Sequence, residues 1–441
     1  MANAFSKEEK VAFDQLLEGF NDALVMSRNV SIYNYNQTDA ARTTAMPGGP
    51  VPPIGGGSNF GTVWRPQPYI MTSVQSTPGI GITFADKTQL TVPASITTVR
   101  TSAWAMNSVE LRDALQEGRL AAGANQKLAS DINVAVMQAA TGLGSLVVPI
   151  GTPAGSFDDI ALCDTLMNET GVMGDSRYLS LSSRSYNGLA GNVVGSTRSF
   201  GANNRSDKAF ERAYVGMVSS FETYKQDYAL RLTGNTQVVG AATIATNGAQ
   251  ANFEPKATDT SVAGVLNVDN RFQTVTVNDG TLFNVGDAFS IEGIEAVHLI
   301  TKQPTGQPKT FRVVKIVGNS VTITPPIISA DNAPTEAELQ YKNCERAGAG
   351  LAAAQITFLN TATADLNCFW HKSAIELLPG RLAIPENAGV AVMRASTDQG
   401  LEVVMQKQFN IASSLTEYRL DVLFGTTVLN TEMCGILLFG Q

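Results

Sequence analysis

The chain has 441 residues, more than a single hydrophobic core usually organises, so at least two packed units are expected. Only 16% of the residues are charged, against about 25% in a typical soluble protein. This composition fits a surface covered by copies of the same chain, and equally a large enzyme with a generous core. With 31 Lys and Arg, 39 Asp and Glu, a net charge of −8 and no run of four basic residues, a dedicated nucleic-acid-binding protein is disfavoured.

The cysteines and the N-terminus indicate where the chain is expected to fold. The four cysteines are widely spaced and form no CxxC pair, so they are interpreted as reduced, buried side chains. The first ten residues are charged and have no apolar core of the kind a signal peptide needs. Because no apolar run reaches the roughly 18 residues of a membrane span, the chain is expected to be made and folded in a cytoplasm, without a membrane partner.

The N-terminal part predicts an arm. An amphipathic helix is predicted over residues 6–26, with these apolar residues at helical spacing: Phe13, Leu16, Leu17, Phe20 and Leu24. Residues 46–57 are rich in Pro and Gly and suit neither a helix nor a central strand. The helix is therefore interpreted as tethered at a distance from the body and reaching elsewhere.

An extended loop and a long helix are predicted next. Short alternating runs between residues 63 and 99, clearest at Ile80, Ile82 and Phe84, predict a hairpin-like projection. The longest helical pattern covers residues 108–140, with Ser108 as a possible N-cap. A helix of about 30 residues spans roughly 45 Å, which is long for a globular enzyme.

The second half predicts a β-domain inserted into a mixed α/β region. Residues 146–231 alternate between strand-like and helix-like runs. From residue 232, short alternating runs follow one another with turns such as Asn278-Asp279-Gly280 and Gly318-Asn319, which predicts a small antiparallel barrel. Mixed character returns after residue 337, with a helix expected over residues 347–354.

No motif predicts catalysis, a metal site or a cofactor. His298 and His371 are the two histidines and are interpreted as packed or surface side chains. The sequence contains no HExxH, EF-hand, Walker A, GxGxxG or GxSxG pattern. Adjacent acids such as Asp158-Asp159 are interpreted as a helix cap. The predicted catalytic, cofactor and metal residues are therefore none.

Several short motifs run in the same order as in a known family. They are Asn267-Val-Asp-Asn-Arg-Phe-x-Thr-Val-Thr276, Gly286-Asp287, Leu111-Arg112-Asp113, Lys127-Leu128-Ala129, Gly144-Ser145-Leu146-Val147 and, less specifically, Val63-Trp64-x-Pro66, Asp86-Lys87 and Asn367-x-Phe369-Trp370. In these motifs the chain resembles the coat proteins of short-tailed phages of the Salmonella type. The loops after Gly195 and before Asn267 match the family poorly.

The resemblance implies an α+β, Hong Kong 97-like capsid fold with an inserted antiparallel β-barrel. The implied segments are an N-terminal arm (1–54), an extended loop with the start of the peripheral domain (55–107), a spine helix (108–145), the first part of the axial domain (146–231), the inserted barrel (232–343), the second part of the axial domain (344–400) and closing strands (401–441).

The resemblance also implies partners. Copies of the chain would form hexamers and pentamers of a phage head, with a scaffolding protein during assembly, a portal protein at one vertex and packaged double-stranded DNA held without sequence-specific contact. The candidate scaffold contacts are Asp14, Glu18 and Asp22, and the candidate loop between capsomers contains Lys256 and Asp259. Ile80, Ile82 and Phe84 are the candidates for overlap with a neighbouring subunit.

Two alternatives remain open at this point. A phage tail or fibre protein would use the β-rich segment to bind a host, although no internal repeat is present. A hydrolase with an accessory β-domain would need convergent acid and base residues, which the sequence does not reveal.

Overall fold

The computed structural model describes residues 7–33, 62–68, 87–96, 98–107, 110, 114–197, 216–226, 230–245, 252–259, 266–331, 334–346, 351–382, 384 and 389–441. The chain divides into two compact units. Unit 1 comprises Met1–Trp64, Pro93–Met137 and Glu376–Thr427, and unit 2 comprises Arg65–Val92, Gln138–Ile375 and Val428–Gln441.

The helices in the described residues are α1 (Lys7–Ala23), α2 (Ala114–Leu143), α3 (Phe157–Thr170), α4 (Ser183–Thr197) and α5 (Glu336–Tyr341). The strands are β1 (Ser31–Ile32), β2 (Thr62–Pro66), β3 (Thr91–Ser95), β4 (Thr98–Asn107), β5 (Leu146–Ile150), β6 (Arg177–Ser182), β7 (Met217–Val218), β8 (Phe221–Gln226), β9 (Arg231–Leu232), β10 (Thr258–Asp259), β11 (Leu266–Asn267), β12 (Gln273–Thr276), β13 (Ala288–Val297), β14 (Pro304–Val317), β15 (Ser320–Thr324), β16 (Cys344–Arg346), β17 (Ile356–Phe358), β18 (Ala364–Asp365), β19 (Asn367–His371), β20 (Ile375–Pro379), β21 (Ala391–Ser396), β22 (Glu402–Asn410), β23 (Leu415–Val428) and β24 (Cys434–Phe439).

Unit 1 is built on a sheet with the strand order β1-β20-β23-β22-β21, and β4 also pairs with β23. β22 and β23 form an antiparallel hairpin from the pair Val403–Val422 to the pair Asn410–Leu415. β4 runs antiparallel to β23 over all ten of its residues. Of the closing strands, β22 and β23 therefore form the centre of this sheet, whereas β24 belongs to a sheet of unit 2.

Helix α1 packs onto its own unit. Its apolar residues Phe13, Phe20 and Leu24 are buried, as their spacing predicted. The side-chain amide of Asn125 on α2 donates to the carbonyl of Leu16 at 2.8 Å. The chain after α1 continues as β1, which pairs in parallel with β20. The prediction that this helix stands away from the body is therefore wrong for residues 7–33, because its apolar face is covered by the same chain.

Helix α2 has 30 residues and is the longest helix among the described residues, as predicted. Leu128, Ile132 and Val136 lie buried along one face. Ahead of the helix, the backbone amide of Glu110 donates to Asn107 Oδ1 at 2.8 Å, and the amide of Asn107 donates to Glu110 Oε2 at 3.0 Å. This reciprocal pair is a capping-box arrangement formed by Asn107, and the predicted cap, Ser108, lies outside the described residues.

In unit 2 a mixed sheet has the order β5-β24-β19-β6-β8-β7. One face carries α3 and α4, whose buried residues join Leu146, Leu179 and Phe369 in one cluster. On the other face, Val147, Ile436 and Leu438 pack with residues from β9, β13 and β18. Because both faces are covered, β5 and β24 are almost entirely apolar rather than alternating.

The predicted antiparallel barrel is present and closed. β17, β13, β14, β15 and β12 pair in that order, always antiparallel. Residues 242–245 complete the ring, with backbone hydrogen bonds of 2.9–3.0 Å to Thr276 and Asn278 on one side and to Ala354 and Ile356 on the other. The interior is filled with apolar side chains, including Phe283, Phe289, Phe311 and Phe358.

The barrel extends beyond residue 343, the predicted end of the barrel. β16 and β17 both pair with β13, so the barrel sheet continues to Phe358. The helix predicted over residues 347–354 is absent from the described residues 351–354, which form a turn leading into β17. The high Ala and Gly content of this segment suggested a helix, but its backbone instead bonds to residues 242–245 of the barrel.

Candidate assembly surfaces and buried polar centres

The outer face of α1 carries exposed acidic side chains. Asp14 and Glu18 are exposed, while Phe13 and Phe20 on the opposite side are buried. The side chain of Asp22, the third predicted member, lies outside the described part of the chain. Within this part, α1 therefore separates an apolar face turned to unit 1 from an acidic face turned to solvent.

The start of α1 is held to the unit 1 sheet by a partly buried polar contact. Glu9 forms an ion pair with Lys407 of β22 and accepts a hydrogen bond from the Tyr418 hydroxyl at 3.5 Å. Lys407 lies 5.6 Å from the centre of the Tyr418 ring, and Trp104 stacks on that ring at 5.5 Å. These contacts give α1 a fixed orientation on the sheet.

The candidate loop on the barrel begins just before β10, which pairs with β11. Lys256 is exposed and lies 3.4 Å from Glu254. Asp259, expected to be exposed, is half-buried because it lies in β10 opposite Leu266 of β11. Residues 260–265 between these strands lie outside the described residues.

The three apolar residues of the extended loop, Ile80, Ile82 and Phe84, lie outside the described residues, but the root of the loop does not. β2 and β3 pair with each other, and Gln67 N donates to Leu90 O at 2.9 Å. Leu90 is 1% exposed and packs with Ile328 and Tyr341.

The resemblance motif at residues 267–276 has a structural role that composition did not reveal. Asn270 accepts a hydrogen bond from Lys256 N at 2.9 Å and donates one to Lys256 O at 2.8 Å. Arg271 pairs with Asp269 and donates to Val428 O at 2.9 Å. The motif thus ties the base of the candidate loop to the strands of unit 2.

Asp287 is the centre of a buried hydrogen-bond network at the base of the barrel. Its carboxylate is 0% exposed and accepts from the side-chain amides of Asn235 at 2.6 Å and Asn360 at 2.9 Å, and from the backbone amide of Asn284 at 2.8 Å. These donors come from the entry to the barrel, its exit and the turn before β13. The network therefore closes the barrel where the chain enters and leaves it.

A fully buried guanidinium lies close to this network. Arg312 is 1% exposed, and it donates to Gly286 O at 3.0 Å and to Gly144 O at 3.4 Å. Burial lowers the pKa of Arg312 to about 10, and the negative charge of Asp287 opposes that shift. The arginine is therefore still charged at neutral pH and depends on Asp287 for compensation.

A second buried pair connects the barrel to the mixed sheet of unit 2. Lys309 of β14 forms an ion pair with Glu432, and the two side chains are only 6% and 12% exposed. The neighbouring Thr310 hydroxyl donates to Ser145 O at 2.6 Å, just before β5. These polar contacts fix how the barrel attaches to the sheet within unit 2.

His298, directly after β13 of the barrel, lies against the C-terminal end of α3. Its Nδ1 accepts backbone hydrogen bonds from Ile300 at 3.3 Å and Thr301 at 3.2 Å. Gly171 ends α3 with φ of 83°, and a Cβ there would lie 2.8 Å from His298 Cε1. A glycine is therefore required by both backbone conformation and contact.

The pKa of His371 predicts a pH dependence of stability. Burial lowers the pKa of the imidazole below its ordinary value of 6.5, while Asp175 opposes the shift. The His371 imidazole therefore binds a proton more weakly in the folded state than in the unfolded chain. Because of this difference, the free energy of unfolding decreases as the pH falls below 6.5. We expect His371→Asn to reduce the loss of stability between pH 7.5 and 5.5 in urea unfolding. A variant with the full wild-type pH dependence would contradict this assignment.

The four cysteines are free and buried, as the sequence predicted. Burial raises the pKa of the Cys344 and Cys434 thiols to about 12 and also raises the pKa of Cys163 and Cys368. These thiols remain protonated and behave as small apolar side chains. In the part of the chain that the structure describes, no group of three His, Cys, Asp or Glu residues could hold a metal ion. No helix there is long and apolar enough to cross a membrane.

Comparison with known families decides between the alternatives. The family model described as P22 coat protein, gene protein 5, matches residues 1–440. The chain belongs to the P22 coat protein family. This coat protein is a structural, major capsid protein that self-assembles into phage capsid shells and is a component of the virion. The predicted α+β capsid fold with an inserted barrel is confirmed, and the fibre and hydrolase alternatives are not supported.

Solved structures similar to the coat protein include phage capsids. "Mycobacterium phage Che8" is 8% identical, with 86% of this chain and 85% of that chain covered at a TM-score of 0.41. "Capsid of Ralstonia phage GP4" is 8% identical, with 93% and 88% covered at a TM-score of 0.38. "CUS-3 coat protein I-domain" is 36% identical, with 28% of this chain and 99% of that chain covered at a TM-score of 0.23.

Proposed function

We propose that the coat protein assembles as hexamers and pentamers into a closed icosahedral head around double-stranded DNA, in the host cytoplasm. The observation that carries the proposal is the family match over residues 1–440. The low charged fraction of 16% supports extensive burial of surface between copies. The net charge of −8 suits an inner wall that holds DNA without sequence-specific contact.

Each part of the chain has a proposed place in that shell. The unit 1 sheet and α2 form the peripheral domain, with residues 108–145 as its spine, and the mixed sheet with α3 and α4 forms the axial domain around the local symmetry axes. Residues 1–54 form the arm, and residues 55–107 form the extended loop and the start of the peripheral domain, with Ile80, Ile82 and Phe84 overlapping a neighbouring subunit. The barrel, which we place at residues 232–358, lies on the outside, with Lys256 and Asp259 near a contact between capsomers. A portal protein occupies one vertex.

Electron microscopy of the purified, overexpressed coat protein tests the assembly proposal. Closed shells or long tubular heads with hexameric lattices are the expected result. Small discrete particles or fibres from soluble, folded protein would contradict it.

The acidic face of α1 is proposed to bind the scaffolding protein. Asp14 and Glu18 are exposed on a helix whose opposite face is buried in unit 1, so they are presented in a fixed orientation. Such a contact would be attractive to a basic surface and would weaken with salt, which suits a partner that must leave. Asp22 is included on sequence grounds alone.

We expect Asp14→Ala combined with Glu18→Ala to give misassembled shells that lack scaffolding protein, since two of the charges that attract it are removed. Co-assembly followed by sedimentation and gel analysis measures both shell shape and scaffold content. Gln15→Ala is the matched control, because Gln15 is exposed on the same helix and carries no charge. Normal scaffold-filled shells from the double variant would rule out this role for α1.

A further inference from the structure

The root of the extended loop is a defined structure on both sides of residues 69–86. β2 leads into it and β3 leads out, and the two strands pair. Gln67 N donates to Leu90 O at 2.9 Å, and the Gln89 side-chain amide donates to Gln67 O at 2.9 Å. The position of the loop root is therefore determined by the contacts of Gln67 and Leu90.

The outgoing side of the root is bound to the barrel's return segment, residues 328–346. Leu90 N donates to the Tyr341 hydroxyl at 3.2 Å, and Thr88 N donates to Gln340 Oε1 at 3.3 Å. Leu90, Tyr341 and Gln340 are 1%, 9% and 2% exposed, and the Leu90–Tyr341 hydrogen bond is buried while the Thr88–Gln340 bond is partly buried. Both acceptors lie at the end of α5.

Helix α5 is itself fixed to the barrel. Thr335 and Glu338 form a capping box at its start, and Glu338 also accepts from the Asn252 side chain. Asn252 Oδ1 in turn accepts from Ser329 N at 2.7 Å. Directly after α5, β16 pairs with β13 of the barrel. These connections attach the short helix α5 to the barrel.

We infer that Tyr341 and Gln340 are positioning residues through which the inserted barrel holds the root of the extended loop. The barrel then fixes the positions of Gln67 and Leu90, which flank the loop proposed to overlap a neighbouring copy, and this second step rests on the overlap role proposed above. The inserted barrel thereby contributes to the contacts between copies that are proposed for the extended loop, although the barrel itself does not make those contacts. Its effect passes through two hydrogen bonds and the packing of Leu90.

Tyr341→Phe tests the anchor, because it removes the hydroxyl and keeps the ring in the Leu90 cluster. Hydrogen exchange of the full chain is expected to show at least about tenfold faster exchange of the Leu90 amide, the order expected for a lost buried hydrogen bond. The melting temperature of the barrel is expected to stay at the wild-type value. Tyr178→Phe in β6 is the control for hydroxyl loss away from the root.

A second variant, Gln340→Met, removes the acceptor of Thr88 and is expected to speed exchange at that amide. Both variants are then assembled, and irregular shells are expected from each because the loop no longer leaves the body in one direction. Unchanged exchange at Leu90 and Thr88 would overturn the anchor. Faster exchange with normal shells would support the anchor and overturn the overlap role of the loop, so the two failures are distinguishable.

Discussion

Asp287→Ala is expected to lower the free energy of unfolding of the subunit by about 3–5 kcal/mol. The substitution leaves three donors around position 287 without their acceptor, from Asn235, Asn360 and Asn284. It also leaves the buried guanidinium of Arg312 without the negative charge that compensates it. Urea unfolding of the unassembled subunit measures the loss.

Asp287→Asn separates the two contributions. Asparagine keeps one side-chain oxygen as an acceptor but removes the charge that faces Arg312, so an intermediate loss is expected. Asp158→Asn is the matched control, since Asp158 is exposed in the first turn of α3 and its loss costs no more than about 1 kcal/mol. Equal losses at positions 287 and 158 would show that the network at the barrel base does not contribute as described.

The barrel illustrates what the sequence could and could not predict. The alternating runs and turns of β13, β14 and β15 predicted antiparallel strands, because one face of each is buried. Residues 242–245 close the ring, but a segment of only four residues is too short to show a periodic pattern in the sequence. The three residues of β17 are likewise too few to show a pattern, so the sequence predicts that the barrel ends at residue 343 and not after β17.

Helix α1 shows a different limit. The spacing of Phe13, Phe20 and Leu24 predicts a helix with a face that must be covered, and that face is buried. The sequence does not say what covers it, and the Pro- and Gly-rich segment 46–57 suggested a distant partner. The contact between Glu9 and Lys407, which helps to hold α1 on its own unit, joins residues nearly four hundred positions apart.

The sequence shows the residues of the buried polar networks only as short motifs and does not predict their hydrogen bonds. Gly286-Asp287 and the segment 267–276 were recognised through a resemblance, without a physical reason for their residue types. The reason is three-dimensional, because the partners of Asp287 are distributed between positions 235 and 360. A buried aspartate surrounded by asparagines cannot be distinguished from a surface aspartate in a turn until the partners are brought together.

Lys309 and Glu432 form the buried ion pair whose disruption is expected to have an effect of similar size. Lys309→Met should cost about 3–5 kcal/mol, because Glu432 keeps its charge in a site that is largely closed to water. Glu432→Gln should cost more. Glu432 also attracts Lys302, which Lys309 and Lys342 repel, so Glu432→Gln leaves these positive charges facing one another without it.

The double variant Lys309→Met with Glu432→Leu tests whether the charge imbalance, rather than lost packing, causes these losses. Removing both charges leaves no uncompensated ion from the pair, so the double variant should be more stable than either single variant. Lys127→Met is the matched control, because Lys127 is 69% exposed in its pair with Asp131, where about 0.3–0.5 kcal/mol is expected. If urea unfolding gave additive losses for the pair, the buried charges of Lys309 and Glu432 would have no part in fixing the barrel to the sheet.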